Sequence, residues 1–186
     1  MAKLIIKQMN EKDKKQIRRW DKYQGKLIDG YERFLKYLGG MGVAEYIKQI
    51  EKINYKSNGA APTYAYALKE RGVVKSFVYF LIEKEENEPD KMYIQGIATD
   101  PKEQGKGYAT KMIKMLLKNP EKYMNGCKPA IVKGSVDQKN NQSIRVFQKL
   151  DGRLSIKKDF ICDDIEVDLR FGKGSYYRTE NKDRGK

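Results

Sequence analysis

The chain reads as a mixed α/β protein, and three observations predict that class. Segments 92–99 and 129–137 have strand character and flank a helical stretch at 107–119, which demands a parallel crossover. Segments 63–69 and 73–83 are rich in β-formers and meet at Arg71-Gly72, an antiparallel hairpin. "DIEVDLRF" alternates apolar and charged residues strictly, so one face is buried and the other wet. The predicted order is β-α-α-β-β-β-α-β-α-β-β, giving a mostly antiparallel sheet with a parallel pair and flanking helices.

Each element has a local reason. "KLIIKQM" (3–9) is a short buried strand, and Asn10 after it is a good N-cap for "EKDKKQIRRWDKYQ", with Ile17, Trp20 and Gln24 on one face. "YERFLKYLGG" is a second short helix stopped by Gly39 and Gly40. "VAEYIKQIEKI" repeats apolar residues at Val43, Ala44, Ile47, Ile50 and Ile53, a helical period. "NYKSNGAAP" is a loop. After the hairpin, "EKEENEPDK" holds five acids and is too polar for a core. Gly96 interrupts the strand 92–99, as a bulge or close backbone approach would. Ala109, Met112, Ile113, Leu116 and Leu117 form one helical stripe, ended at Asn119-Pro120. "NQSIRVFQKL" is a helix with Ile144, Phe147 and Leu150 inward, and a strand begins at Leu154 after Gly152. The expected organisation is one domain over residues 1–171 and a basic, disordered tail over 172–186.

Composition narrows the chemistry. The chain has 186 residues and no histidine. That removes Ser-His-Asp and Cys-His nucleophile chemistry and histidine-containing zinc sites, so an acid or base must be a carboxylate, tyrosine, lysine, cysteine, backbone group or water. Cys127 and Cys162 lack metal-ligand spacing, so no metal is expected; the pair fits a reducing compartment and leaves a disulfide open. No apolar run reaches the ~20 residues that cross a bilayer, and "MAKLIIKQMN" lacks a signal peptide's apolar core and cleavage site. The expected location is cytoplasmic, with no membrane partner. The net charge is +14; the last fifteen residues contribute +3 of it, leaving +11 on the body. Such a field attracts nucleic acid, phosphorylated cofactors and acidic surfaces, and it equally suits a solvated lysine-rich surface.

The most informative stretch is "QGKGYATKMIKML" (104–116). Two glycines run into a helix start, where backbone N–H groups have no helical partner and the helix dipole favours an anion. The third glycine of the dinucleotide fingerprint is missing, and so is the G-K-[ST] of a Walker A loop. Taken alone, the turn also fits a tight connection without a ligand.

"GIATDPKEQGKGYATKMIKMLL" resembles the acyl-CoA-binding signature of the GCN5-related N-acetyltransferase family, in which Q/R-x-x-G-x-G/A opens a helix after a proline-containing loop. Gln104, Gly107 and Ala109 match it. "NNQSIRVFQKLDG" resembles the family's second signature, with Asn140, Ser143 and Phe147 in place and Gly152 one residue late. The resemblance implies the acyl-CoA N-acyltransferase fold, in which the parallel strands splay apart, with acetyl-CoA as cosubstrate. It implies that backbone N–H groups of residues 105–109 (Gly105, Lys106, Gly107, Tyr108, Ala109) hold the pyrophosphate, with Gln104 closing the turn. Ile97 and Thr99 would pair with the pantetheine arm, like an added strand edge. Gly96 would then be the bulge that opens the wedge, Asn140 would reach the arm from the other side, and Ser143 and Phe147 belong to the same set. Lys106 and Lys111 could meet phosphates or simply be solvated.

The implied reaction is direct attack of a primary amine on the thioester, which needs a neutral amine, positioning, oxyanion donors and a proton for the thiolate. Backbone N–H groups near Ile97 and Thr99 suit the oxyanion. Many relatives end the second signature with a tyrosine that protonates the thiolate; Phe147 has no proton to give, and Ser143, Tyr108 or water are the substitutes. The family's frequent glutamate base falls at Tyr93, and a tyrosine at its ordinary pKa of ~10 is a poor base. Glu83, Asp137 and Glu70 are carboxylates that could act through water, and each also fits a plain surface charge. The acceptor, a small molecule or a protein amine, should meet the region between the first strand and Thr63, which is rich in tyrosine at Tyr23, Tyr31, Tyr37, Tyr46 and Tyr55. Such rings suit a cation and, at helical spacing, more often fit the core or its rim, so they name no acceptor. An inactive acyl-CoA-binding module and a nucleic-acid-binding protein are the alternatives, the latter without a recognisable motif. A homodimer is left open.

Overall fold

The computed structural model describes residues 3–23, 42–56, 63–158 and 164–171. The strands are hydrogen-bonded in the order β1-β2-β3-β4-β5-β7-β6, a mixed seven-stranded sheet. The predicted helix at "YERFLKYLGG", residues 57–62 of the predicted loop "NYKSNGAAP", Cys162 and the tail from Gly172 lie outside the described residues. Residues 54–56, predicted as loop, instead continue the helix Val43–Lys56. By its contacts the chain divides into two compact units, Met1–Leu81 with Gln95–Ala109, and Ile82–Ile94 with Thr110–Lys186.

In the first unit β1 (Leu4–Gln8) runs antiparallel to β2 (Thr63–Glu70), from Leu4↔Glu70 to Gln8↔Tyr66. β2 pairs antiparallel with β3 (Val73–Glu83) through a two-residue turn in which Arg71 and Gly72 both have positive φ, 50° and 79°. α1 (Glu11–Arg18) begins at Asn10, as its sequence predicts. Asn10 Oδ1 accepts from Asp13 N at 3.0 Å, and Asp13 Oδ2 accepts from Asn10 N at 3.3 Å, a reciprocal capping box. Asp13 is buried, yet its other oxygen meets Lys69 Nζ at 2.5 Å, so the charge is compensated. A 3₁₀ turn (Arg19–Tyr23) carries Trp20 inward, and α2 (Val43–Lys56) adds Val43 and Ile47. Trp20 stacks on Phe77 with centroids 5.9 Å apart, above a strand face of Ala67, Val74 and Tyr79.

The second unit is built around β5 (Ile131–Asp137). β5 lies parallel to β4 (Lys91–Thr99) from Lys91↔Ile131 to Ile94↔Gly134, and antiparallel to β7 (Asp164–Arg170) along its whole length. β6 (Arg153–Lys158) pairs only with β7, and its mostly exposed side chains suit an edge. On β7, Ile165, Val167 and Leu169 are buried while Glu166 and Arg170 are exposed, the alternation predicted for it. α3 (Tyr108–Lys118) buries Met112, Ile113, Leu116 and Leu117 completely. Pro120, which was expected only to end that helix, also opens a one-turn helix, α4 (Pro120–Tyr123). Proline is tolerated there because a first-turn N–H needs no partner. α5 (Asn141–Gln148) follows β5, and Phe147 and Leu150 are buried as predicted.

Gly152 shows how tightly β6 is joined to β7. A Cβ there would lie 2.9 Å from the Arg170 carbonyl oxygen and 2.9 Å from a Phe171 ring carbon. Gly152→Ala should therefore destabilise the chain by about 1–3 kcal/mol, the usual cost of overpacking, read as a lower urea midpoint with unchanged slope.

Candidate active site

Two glycines set the path of the chain between β4 and α3. Gly105 and Gly107 have φ of 79° and 75°, a left-handed backbone that costs other residues about 1–2 kcal/mol. A Cβ on either would meet nothing within 4 Å, so the backbone hand, not crowding, requires glycine. Gly107 precedes the first residue of α3 and has no side chain to accept from the first-turn N–H groups. That turn also contains no acidic residue. The helix's own start therefore offers its first N–H groups and positive dipole end neither an acidic residue nor a capping side chain.

The approach to this turn is held by Glu103, which the sequence reading did not single out. A short 3₁₀ turn (Pro101–Glu103) begins at Asp100, whose Oδ1 accepts from Lys102 N at 3.0 Å. Asp100 N donates to the Lys75 carbonyl at 2.9 Å, tying the loop to β3. One oxygen of Glu103 meets Lys75 Nζ and the other Lys106 Nζ, both at 2.5 Å. The Lys106 and Lys75 ammonium groups hold the Glu103 carboxyl below the usual carboxylate range, and Glu103 raises both lysines. Glu70 Oε2 also lies 4.0 Å from Lys75 Nζ, so the two lysines beside the glycines are balanced by two carboxylates. Lys106, expected either to meet phosphate or to be solvated, is exposed but paired. Gln104 is extended, with φ −61° and ψ 155°, and turns the chain from the 3₁₀ segment into Gly105.

The end of β4 is fixed from one side. Its register with β5 ends at Ile94↔Gly134, while the strand continues to Thr99. Along 95–99, Ser76 Oγ donates to the Ala98 carbonyl at 2.8 Å, and Thr99 Oγ1 donates to Ser76 Oγ at 3.2 Å. Tyr46 on α2 donates its hydroxyl to the Gln95 carbonyl at 3.1 Å. Ile97 and Thr99 are both half-buried.

The second signature lies in the other unit, and its residues have architectural duties there. Asn140 is the N-cap of α5: its Oδ1 accepts from Ser143 N at 3.1 Å. Phe147 is 2% exposed, and its ring tip lies 3.1 Å from where a Cβ on Gly134 would stand. Gly134 is thus small because Phe147 lies over it, at the last registered pair of the parallel strands. The spacing of α5 forecast that Phe147 points inward; nothing local forecast that Gly134 receives it.

The base and acceptor candidates are placed less tightly. Tyr93 sits on β4 opposite Lys133 of β5, and Glu83 closes β3; both are half-buried. Glu70 pairs with Val73 across the first hairpin turn, and Asp137 accepts from Lys139 N at 2.7 Å. Of the tyrosines expected to face the acceptor, Tyr46 packs on the core and is engaged with β4, and Tyr23 ends the 3₁₀ turn after α1. Tyr31, Tyr37 and the side chain of Tyr55 lie outside the described residues. Lys111 lies on an exposed face of α3. No helix among the described residues is long and apolar enough to cross a membrane.

Comparison with known proteins bears on the family and the fold. Residues 30–152 match the model of the acetyltransferase (GNAT) family. No curated protein matches the chain in sequence. Among solved structures, the fold is similar to that of a Salmonella typhimurium acetyltransferase that modifies the N-terminal serine of the 50S ribosomal subunit protein L7/L12, with TM-score 0.64, 14% identity, and coverage of 91% of this chain and 95% of that one. It is similar to spermidine N-acetyltransferase from Vibrio cholerae in complex with CoA and spermine, with TM-score 0.57, 13% identity, and coverage of 90% and 95%. A Campylobacter jejuni N-acetyltransferase in complex with acetyl coenzyme A has TM-score 0.55, 14% identity, and coverage of 91% and 100%.

The Glu103 clamp has a pH signature. A carboxyl held below its ordinary value contributes stability above about pH 4.3 that is lost as pH falls further. The raised Lys75 contributes in the opposite sense, its share being lost as pH rises through its elevated pKa. Thermal melts of the wild type and Glu103→Gln should therefore differ most near neutrality and converge in acid; equal melting temperatures at neutral pH would refute the clamp.

Proposed function

The chain belongs to the acetyltransferase (GNAT) family, as an N-acetyltransferase with acetyl-CoA as cosubstrate, and on that premise we propose that it transfers the acetyl group to a primary amine by direct attack on the thioester. The observation that carries the site assignment is the left-handed glycine pair opening α3 without an acid or a capping side chain. A diphosphate fits this turn chemically: it is an anion, the N–H groups of residues 105–109 are donors, and the first turn of α3 holds no acidic residue. Gln104 sets the direction of the turn. The pantetheine arm runs along Ile97 and Thr99, where β4 has left its register with β5 and is supported by Ser76. When bound, acetyl-CoA supplies the activated acyl group; the chain supplies position and donors.

The remaining roles belong to the same reading. Asn140 and Ser143 keep α5 in place, and both carry polar side-chain atoms that suit the cosubstrate. Phe147 contributes packing and no proton. Tyr93 and Glu83 are the base candidates. Amine acceptors of the kinds named for the structural neighbours, a polyamine or a protein N-terminus, suit this chemistry. A cytoplasmic setting suits the free Cys127 thiol. One observation favours a second reading, a CoA-binding module without turnover: the buried Phe147 stands where many relatives carry a proton-donating tyrosine.

Thermal shift and turnover separate these readings. CoA should raise the melting temperature of the wild type, and Gly107→Glu should abolish that shift by placing a like charge at the diphosphate. Gly107→Ala imposes the same backbone strain without the charge and should retain part of it. An undiminished shift in Gly107→Glu would refute the placement of the site. Acetyl transfer to any member of a panel of polyamines and peptide N-termini would exclude the inactive module, and turnover unaffected by Glu83→Gln and Tyr93→Phe would exclude both base candidates.

A further inference from the structure

Apart from the candidate site, the first unit carries two adjoining grooves of about 760 Å³ and about 480 Å³ that share Lys12, Gln16, Arg71 and Gly72. Their rims are strongly basic. Lys12, Lys15 and Arg19 recur on one face of α1 and the 3₁₀ turn after it. Arg71 projects from the β2–β3 turn, and Lys3 and Lys7 from β1 and its approach; all six are exposed. Gln16 fastens the helix to the turn: its Nε2 donates to the Gly72 carbonyl at 3.3 Å, and its Oε1 accepts from Val74 N at 3.1 Å. The cations of α1 and of the turn are thus held as one surface.

The surface lacks the neutralisation found elsewhere on the chain. Lys14, Lys75, Lys91 and Lys106 each have a carboxylate within 2.5–2.6 Å. Among the described residues, none of the six groove cations forms an ion pair. Of the two carboxylates in the lining, Asp13 is paired with Lys69, while Asp100 accepts from the Lys102 N–H and keeps its charge, so cations remain in clear excess. Among the described residues that line the groove the one aromatic ring is Trp20, which is 4% exposed, so no base can stack on it.

We propose that this basic double groove binds the phosphate backbone of duplex nucleic acid without reading its sequence. A cluster of cations that form no ion pair among the described residues suits a phosphodiester strand, whose affinity comes from counterion release. The absence of an exposed ring among the described lining residues disfavours single strands, which bind largely by stacking. Lysine supplies four of the six cations, and lysine is depleted in protein–protein interfaces, so an acidic protein is the weaker match. The groove is separate in sequence from residues 104–109, and this proposal does not depend on the acetyl-transfer reading.

The test uses the full chain and fluorescein-labelled mixed-sequence DNA and RNA duplexes, read by anisotropy. Engagement of about four phosphates predicts a log–log salt slope near −3.6, a loss of about 150-fold from about 50 to about 200 mM salt. Lys12→Glu with Arg71→Glu should reduce the slope by about 2, while saturating CoA leaves binding unchanged. Lys15→Ala with Arg19→Ala provides a milder pair should the reversal fail to fold. No binding at about 50 mM salt, or a slope unchanged in both variants, would overturn the proposal. Displacement by CoA, a preference for single strands, or tighter binding of polyglutamate would overturn it as well.

Discussion

The left-handed turn at Gly105 and Gly107 is the constraint on which the candidate site depends, because it decides where α3 begins and what its first N–H groups face. A helix that starts after serine or aspartate closes its own donors. This one starts after glycine, with no acid in its first turn, and its four buried apolar residues anchor it farther along. The backbone bears the cost of an unusual φ at two positions, and the residue before the helix has no side chain to cap its first N–H groups. Glu103 makes the arrangement durable: it draws Lys75 of β3 and Lys106 of the turn to one carboxylate, so the loop is fixed to the strand before it reaches the helix.

The same economy appears on β4. Its parallel register with β5 ends at Ile94, and the residues beyond are supported by hydroxyl groups from Ser76, Thr99 and Tyr46. Such side-chain support lets a strand hold its course where a ladder neighbour has ended. In the second unit, Asn140 spends its carbonyl oxygen on capping α5, and Phe147 spends its ring on filling the space above Gly134. Residues of the second signature thus maintain the scaffold whether or not they also meet the cosubstrate.

Much of the fold was legible in the sequence because its signals are local and periodic. The alternation on β7, the stripe on α3 and the Asn10 cap each follow from residues within a few positions of one another. The glycine turn was legible for the same reason. What the sequence hid is long-range: the Lys75–Glu103 contact joins residues 28 positions apart, and the Gln16 bridge to Gly72 and Val74 spans up to 58. The Phe147–Gly134 fit was hidden as well, since a glycine within a strand carries no mark of which ring it admits. Pro120 shows the remaining weakness of local signals, because the same residue that ends one helix is welcome at the start of the next. The proton-transfer groups stayed obscure for a chemical reason: without histidine, the choice falls among carboxylates and tyrosines that are also ordinary surface residues.

The account rests on main-chain donors at one turn, and amide resonances report on them directly. Titrating isotope-labelled protein with CoA should move the backbone N–H signals of Gly105, Lys106, Gly107 and Tyr108 more than any others, to saturation at a single affinity. If CoA binds while those four amides stay in place, or moves them no more than distant residues, the glycine turn is not where the diphosphate is held.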